Sequence, residues 1–70
     1  MKAYQTTEEL AQAYAEKYNA GCANPEKHLS VQDVIDVCVY KIVPPAARAK
    51  YDIQISRPTE AIENFGYVAN

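Results

Sequence analysis

Apolar residues recur along this chain in three rhythms, and each predicts a different element. From residue 10 the spacing is helical: Leu10, Ala13, Tyr14 and Tyr18 fall on one face, with Ala11 and Ala15 beside them. Thr6 followed three residues later by Glu9 is a capping box, in which the hydroxyl accepts the Glu9 N–H and the carboxylate reaches back toward Thr6. Glu8 and Glu9 suit the positive end of the helix dipole, and Lys17 suits the negative end. Gly21 stands where a left-handed C-cap belongs. The pattern predicts a helix over about 7–20.

A polar connector with the helix-resistant pair Asn24-Pro25 leads into HLSVQDVIDVCVYKIVPP, residues 28–45. Its β-branched content favours a strand, but its spacing and its opening favour a helix. Ser30 and Asp33 form a short capping box, and Leu29 with Val34 fits a hydrophobic staple. Val31, Val34, Ile35, Cys38 and Ile42 lie at helical spacing, with Gln32, Asp33, Asp36 and Tyr40 opposite. β-branching lowers helix propensity by only about a few tenths of a kcal/mol per residue, which burial outweighs. The expectation is a helix over about 31–43, wide in its apolar face and stopped by Pro44-Pro45.

Beyond the prolines the rhythms compete. Pro45 is well placed at the first position of a short third helix, about 45–51. Ala49, Tyr51, Ile53 and Ile55 nevertheless alternate with Lys50, Asp52, Gln54 and Ser56, as in a half-buried strand. A helix at 45–51 running into an extended segment near 52–56 is the first reading. The rival is an α+β arrangement with 49–56 paired to one terminal segment, MKAYQ or GYVAN. Thr59, Glu60 and Gly66 then frame a last short helix over 59–65. The fold class expected is mainly α, a compact single domain over 1–70.

Length sharpens this picture. A chain of 70 residues buries only about 60% of its unfolded surface, so docking onto a partner or a second copy adds burial that one core does not supply. The first residues lack the apolar core of a signal peptide, and no apolar run approaches the roughly 20 residues of a membrane span. Cytoplasm is the expected compartment. Residues 1–36 carry three cations against six anions, whereas 37–57 carry Lys41, Arg48, Lys50 and Arg57 against Asp52 alone. The acidic first half and the basic middle are expected to pair with each other.

The residues that carry chemistry do not assemble into a known device. Cys22 and His28 share a loop, but Cys22 follows the C-terminal end of the first helix, where the dipole raises a thiol pKa. Cys38 lies mid-helix among valines and reads as a small hydrophobe. Cys22, His28 and Cys38 match no zinc spacing, and the two glycines stand 45 residues apart, too far for a phosphate loop. No catalytic, cofactor-binding or metal-binding residues are expected, and neither is enzymatic activity.

Two binding readings remain. The basic segment 41–57, interleaved with Tyr40 and Tyr51, offers phosphate contacts and stacking to nucleic acid. The acidic second helix and a pI near 5.2 weigh against it. The leading expectation is a non-catalytic module that binds another protein, or itself, as an accessory protein of bacterial or phage type does. Six tyrosines exceed the needs of one small core, and tyrosine and arginine anchor interfaces. The candidate contact residues are Tyr40, Tyr51, Arg48 and Arg57.

Overall fold

The computed structural model describes residues 2–51 and 58–69. The chain runs through β1 (Lys2–Tyr4), α1 (Thr7–Ala20), α2 (Val31–Tyr40), α3 (Pro58–Phe65) and β2 (Gly66–Val68), with 3₁₀ turns at Pro25–Lys27 and Pro45–Ala47. The fold is mainly α, completed by a two-stranded parallel sheet of the chain ends. No helix of the described residues is long and apolar enough to cross a membrane.

α1 occupies the expected range for the expected reason. Thr6 Oγ1 accepts the Glu9 N–H at 3.1 Å, although the Glu9 carboxylate reaches Gln5 N–H, at 3.1 Å, rather than Thr6. Gly21 ends the helix at φ −91°, outside the left-handed region. That conformation falls instead on Lys41, at φ 58° and ψ 23°, which caps α2. The Ser30–Asp33 capping box is complete in both directions. Leu29 and Val34 are both buried, as a staple requires.

α2 nevertheless stops at Tyr40 rather than at residue 43. Pro44 bars Val43 from helical geometry, and the left-handed turn at Lys41 releases Ile42 from the helix face. The expected helix at 45–51 is a single 3₁₀ turn that continues as a turn to Tyr51. Ala49–Tyr51 therefore form no strand, and the extended segment near 52–56 lies outside the described residues. α3 begins at Pro58, one residue before the expected range, with proline in the position it tolerates best.

β1 and β2 pair through Lys2↔Gly66, Ala3↔Tyr67 and Tyr4↔Val68, extended by a 2.8 Å bond from Ala69 N–H to the Tyr4 carbonyl. Gly66 is essential to that pairing. A Cβ there would lie 2.6 Å from Tyr4 Cε2, 2.8 Å from the Lys2 carbonyl oxygen and 3.1 Å from Leu10 Cδ1.

The core is built on Leu10, Tyr14, Leu29, Val34, Val37, Tyr51 and Ile62, with small Ala11, Ala15 and Ala47 allowing close approach. A run of aromatic rings threads it. Tyr4 stacks on Phe65 at 6.0 Å, Phe65 meets Tyr14 edge-on at 5.4 Å, Tyr14 neighbours Tyr18 at 6.4 Å, and Tyr18 neighbours Tyr51 at 6.1 Å. The run ties β1, α3, α1 and the 48–51 turn into one body, and it absorbs four of the six tyrosines.

Burial, reinforced by the neighbouring Tyr18 hydroxyl, pushes the Tyr14 phenol from 10.0 up to about 12. Tyr51 shifts the same way, chiefly by burial and then through Tyr14, Asp33, Cys38 and Tyr18. Each phenol holds its proton more tightly folded than unfolded. Their contribution to stability is therefore complete below the unfolded value near 10.0 and is lost as pH rises through about 12. The melting temperature is expected to fall across that interval. A melting temperature unchanged up to pH 12 would contradict the burial of Tyr14.

Candidate protein-interaction surface

Three of the four residues expected at a contact face lie among the described residues, and they differ in exposure. Tyr40, the last residue of α2, is 67% exposed. Arg48 is exposed on the turn after the prolines. Tyr51 is only 2% exposed and belongs to the core, so it offers no surface to a partner. The physical reason is local: Tyr18 Oη donates a hydrogen bond to the Lys50 carbonyl, drawing the 48–51 turn onto α1. Arg57 lies outside the described residues.

Charge pairing accounts for two of the basic residues in the middle of the chain. Lys50 Nζ sits 2.9 Å from Asp33 Oδ2, with both side chains partly buried. Partial burial works to raise the Asp33 carboxyl, but hydrogen bonds from Lys50 and from Ser30 outweigh it and hold the group below its ordinary value. Lys41 Nζ lies 3.4 Å from Glu63 Oε1, an exposed pair joining α2 to α3. The expected pairing of the acidic first half with the basic middle is thus present at Asp33–Lys50.

The Cys22–His28 loop has a structural arrangement. The His28 ring nitrogen Nε2 lies 2.9 Å from the Cys22 carbonyl oxygen, while Cys22 Sγ points to the Asn24 carbonyl at 3.5 Å. Both cysteines are free thiols. Burial pushes the Cys38 thiol up, against the opposing pull of the Lys41 ammonium, so it stays protonated at neutral pH. Among the described residues no three His, Cys, Asp or Glu side chains converge as a metal site would require.

What the fold does assemble is an uncovered apolar ridge along α2. The core side of the helix carries Val34 and Val37. Val31, Ile35 and Val39 follow one another at four-residue spacing along the helix flank, with Ile35 partly buried against the core and Val31 and Val39 exposed. Val39 is 58% exposed, Ile42 64% and Tyr40 67%, and Val31 also reaches the surface. Gln32 donates to Asp36 at 2.9 Å beside this ridge, giving it a polar border.

Two concavities flank the same body. A groove of about 280 Å³ separates α2 from β2, with Leu10, Val37, Ile62 and Val68 among its lining residues and Cys38 and Lys41 on its helical wall. A more open cleft of about 400 Å³ lies between α1 and α3, lined in part by Tyr14, Tyr18 and Phe65. Lys17 Nζ stands 5.3 Å from the Phe65 ring centroid there. Tyr67, half exposed on β2, borders the groove and is not among the contact residues expected from sequence. Its one sequence signal is a place in the tail GYVAN, a candidate strand partner.

Comparison with protein-family models, with curated proteins and with solved structures finds no match to this chain.

Proposed function

We propose that this chain is a small non-catalytic protein-interaction module, a cytoplasmic accessory protein of bacterial or phage type that binds and modulates a larger protein. Its contact face is the outward ridge of α2. The observation that carries the reading is that Val39 and Tyr40, the last two residues of α2, and Ile42, just past its cap, are each more than half exposed. Large apolar side chains scattered singly over a surface need no explanation, whereas three exposed within four residues at one helix end favour a docking site. A protruding helix end with closely spaced exposed anchors suits insertion into a partner's groove. Tyr40 supplies a rigid amphipathic anchor, and exposed Arg48 serves as a rim charge that sets register and association rate.

Site-specific photo-cross-linking tests this directly. A benzophenone side chain at Tyr40 in the full chain is expected to capture one protein from lysate of the source cells, while the same group at exposed Gln12 on α1 does not. The double variant Val39→Asp, Ile42→Asp alters exposed positions, so it should keep its helical signal while losing at least about tenfold in captured partner, roughly 1.4 kcal/mol. Equal capture by this variant and the native chain would overturn the α2 ridge as the contact face. Capture of the chain by itself would make the partner a second copy.

A further inference from the structure

We infer that Lys41 is a conformational switch at the end of α2: its left-handed turn holds Ile42 on the surface, and its return to helical geometry draws Ile42 back against the helix. The role of the switch rests on the reading of this helix end as the contact face, but its geometry does not. Lys41 takes φ 58° and ψ 23°. In that region the Cβ of an L residue crowds the following carbonyl oxygen, a strain that glycine avoids. Such strain persists only where the surroundings hold it, and it collects at switch regions.

The backbone upstream does not demand the left-handed turn. The Lys41 N–H bonds to the Val37 carbonyl at 2.9 Å, the i to i−4 bond of an α-helix, and a helical Lys41 keeps that bond. The difference lies downstream. In a continued helix Ile42 stands four residues beyond Cys38, above it on the same face. Cys38 is half-buried and packs against the core. The left-handed turn carries Ile42 off that face, where it is 64% exposed beside the exposed Tyr40. The switch thus moves one large apolar side chain between a seat over Cys38 and the contact face.

Its range is short. Pro44 keeps Val43 out of helical geometry, so α2 can grow through Ile42 and no further. Val43 packs against the core and anchors the chain that follows. Lys41 Nζ also reaches Glu63 Oε1 on α3 at 3.4 Å, but the two side chains are 63% and 61% exposed. An ion pair so open to water holds the left-handed state only weakly. Strain set against a weak tie is the balance a two-state element requires. A partner that grips the outward Ile42 binds the left-handed state alone, and its apparent affinity scales with the population of that state.

The test compares Lys41→Gly with Lys41→Val in the full chain. Both lose the ammonium and its tie to Glu63, so a difference between them comes from the backbone. Glycine adopts left-handed geometry freely, whereas a β-branched side chain resists it. In Lys41→Val, NMR should find a helical Cα shift at residue 41 and contacts between the Ile42 methyls and the Cys38 side chain. In Lys41→Gly those contacts should be missing. The ratio of outward to inward Ile42 should differ at least about tenfold between the two variants. Photo-cross-linking from Tyr40 then separates the two claims, since Lys41→Val should capture at least about tenfold less partner than Lys41→Gly. Equal capture, with Ile42 seated on Cys38 in Lys41→Val, would overturn the contact face and leave the switch standing. Ile42 equally outward in both variants would overturn the switch, as would its seating on Cys38 in Lys41→Gly.

Discussion

Replacing Gly66 by alanine is expected to cost about 2–3 kcal/mol or more, and to loosen both chain ends together. The added methyl would stand 2.8 Å from the Lys2 carbonyl oxygen, a backbone atom that moves only if β1 moves, and 2.6 Å from the Tyr4 ring. Overpacking of this kind typically costs about 1–3 kcal/mol where side chains alone can yield. Here the strand pairing must yield as well. Tyr4 also stacks on Phe65, so displacing β1 disturbs the aromatic run that reaches α1 and α3. For a domain of this length, whose total stability is of the order of 4–10 kcal/mol, the loss corresponds to a fall in melting temperature of roughly 10–20 °C. Faster exchange of the Tyr67 and Ala69 amides should accompany it.

Gly21→Ala is the matched control. A Cβ there meets only the Tyr18 carbonyl oxygen at 3.7 Å, ordinary contact, at a backbone angle any residue adopts. That change should be neutral or stabilising by up to about 1 kcal/mol through the unfolded chain. If Gly66→Ala melts with the native protein, β1 is not held in the register described.

The contrast between the two glycines shows what could be read from the sequence. Gly21 was legible as the end of α1 because capping and periodicity are local, and α1 matches its expected limits for the same reason. The need for glycine at 66 arises from a strand more than sixty residues away in the chain. Three-residue strands also carry too little periodicity to announce a partner. The end of α2 fell between these cases. Its valines and Ile42 continued the helical spacing to 43, and only the backbone geometry at Lys41, set just ahead of Pro44, broke it.

The candidate site was legible in the same partial way. Tyr40 lay opposite the core stripe and is exposed. Tyr51 owes its burial to no alternation, since Ala49 is exposed and no strand forms at 49–51, but to the Tyr18 hydrogen bond that draws the turn onto α1, a contact 32 residues apart in sequence that no local pattern announces. The excess of tyrosine finds a structural use in the aromatic run, leaving Tyr40 and Tyr67 as the strongly exposed pair.

Asn19→Ala should be comparably damaging, although nothing in the periodicity of α1 marks this residue. Its side-chain amide makes a two-point clamp on Leu29: Nδ2 donates to the Leu29 carbonyl at 2.9 Å, and Oδ1 accepts the Leu29 N–H at 2.7 Å. Leu29 is buried and immediately precedes the capping box of α2, so the clamp fixes the connector on α1 and sets where α2 begins. Alanine leaves both backbone groups short of water and without their partner, at a cost of about 2–3 kcal/mol in total. The substitution Asn19→Asp separates this account from simple loss of packing. Ionised, the introduced carboxylate could still accept from the Leu29 N–H, but it would set its second oxygen against the Leu29 carbonyl. Protonated, the same group would restore a donor in the position of Nδ2. Asn19→Asp should therefore be as unstable as Asn19→Ala at neutral pH and should recover toward the native protein as pH falls through the carboxyl range near 4. Parallel melting curves of the two variants at neutral and acid pH decide the point. If Asn19→Asp gains nothing on acidification, the clamp is not what holds Leu29 in place.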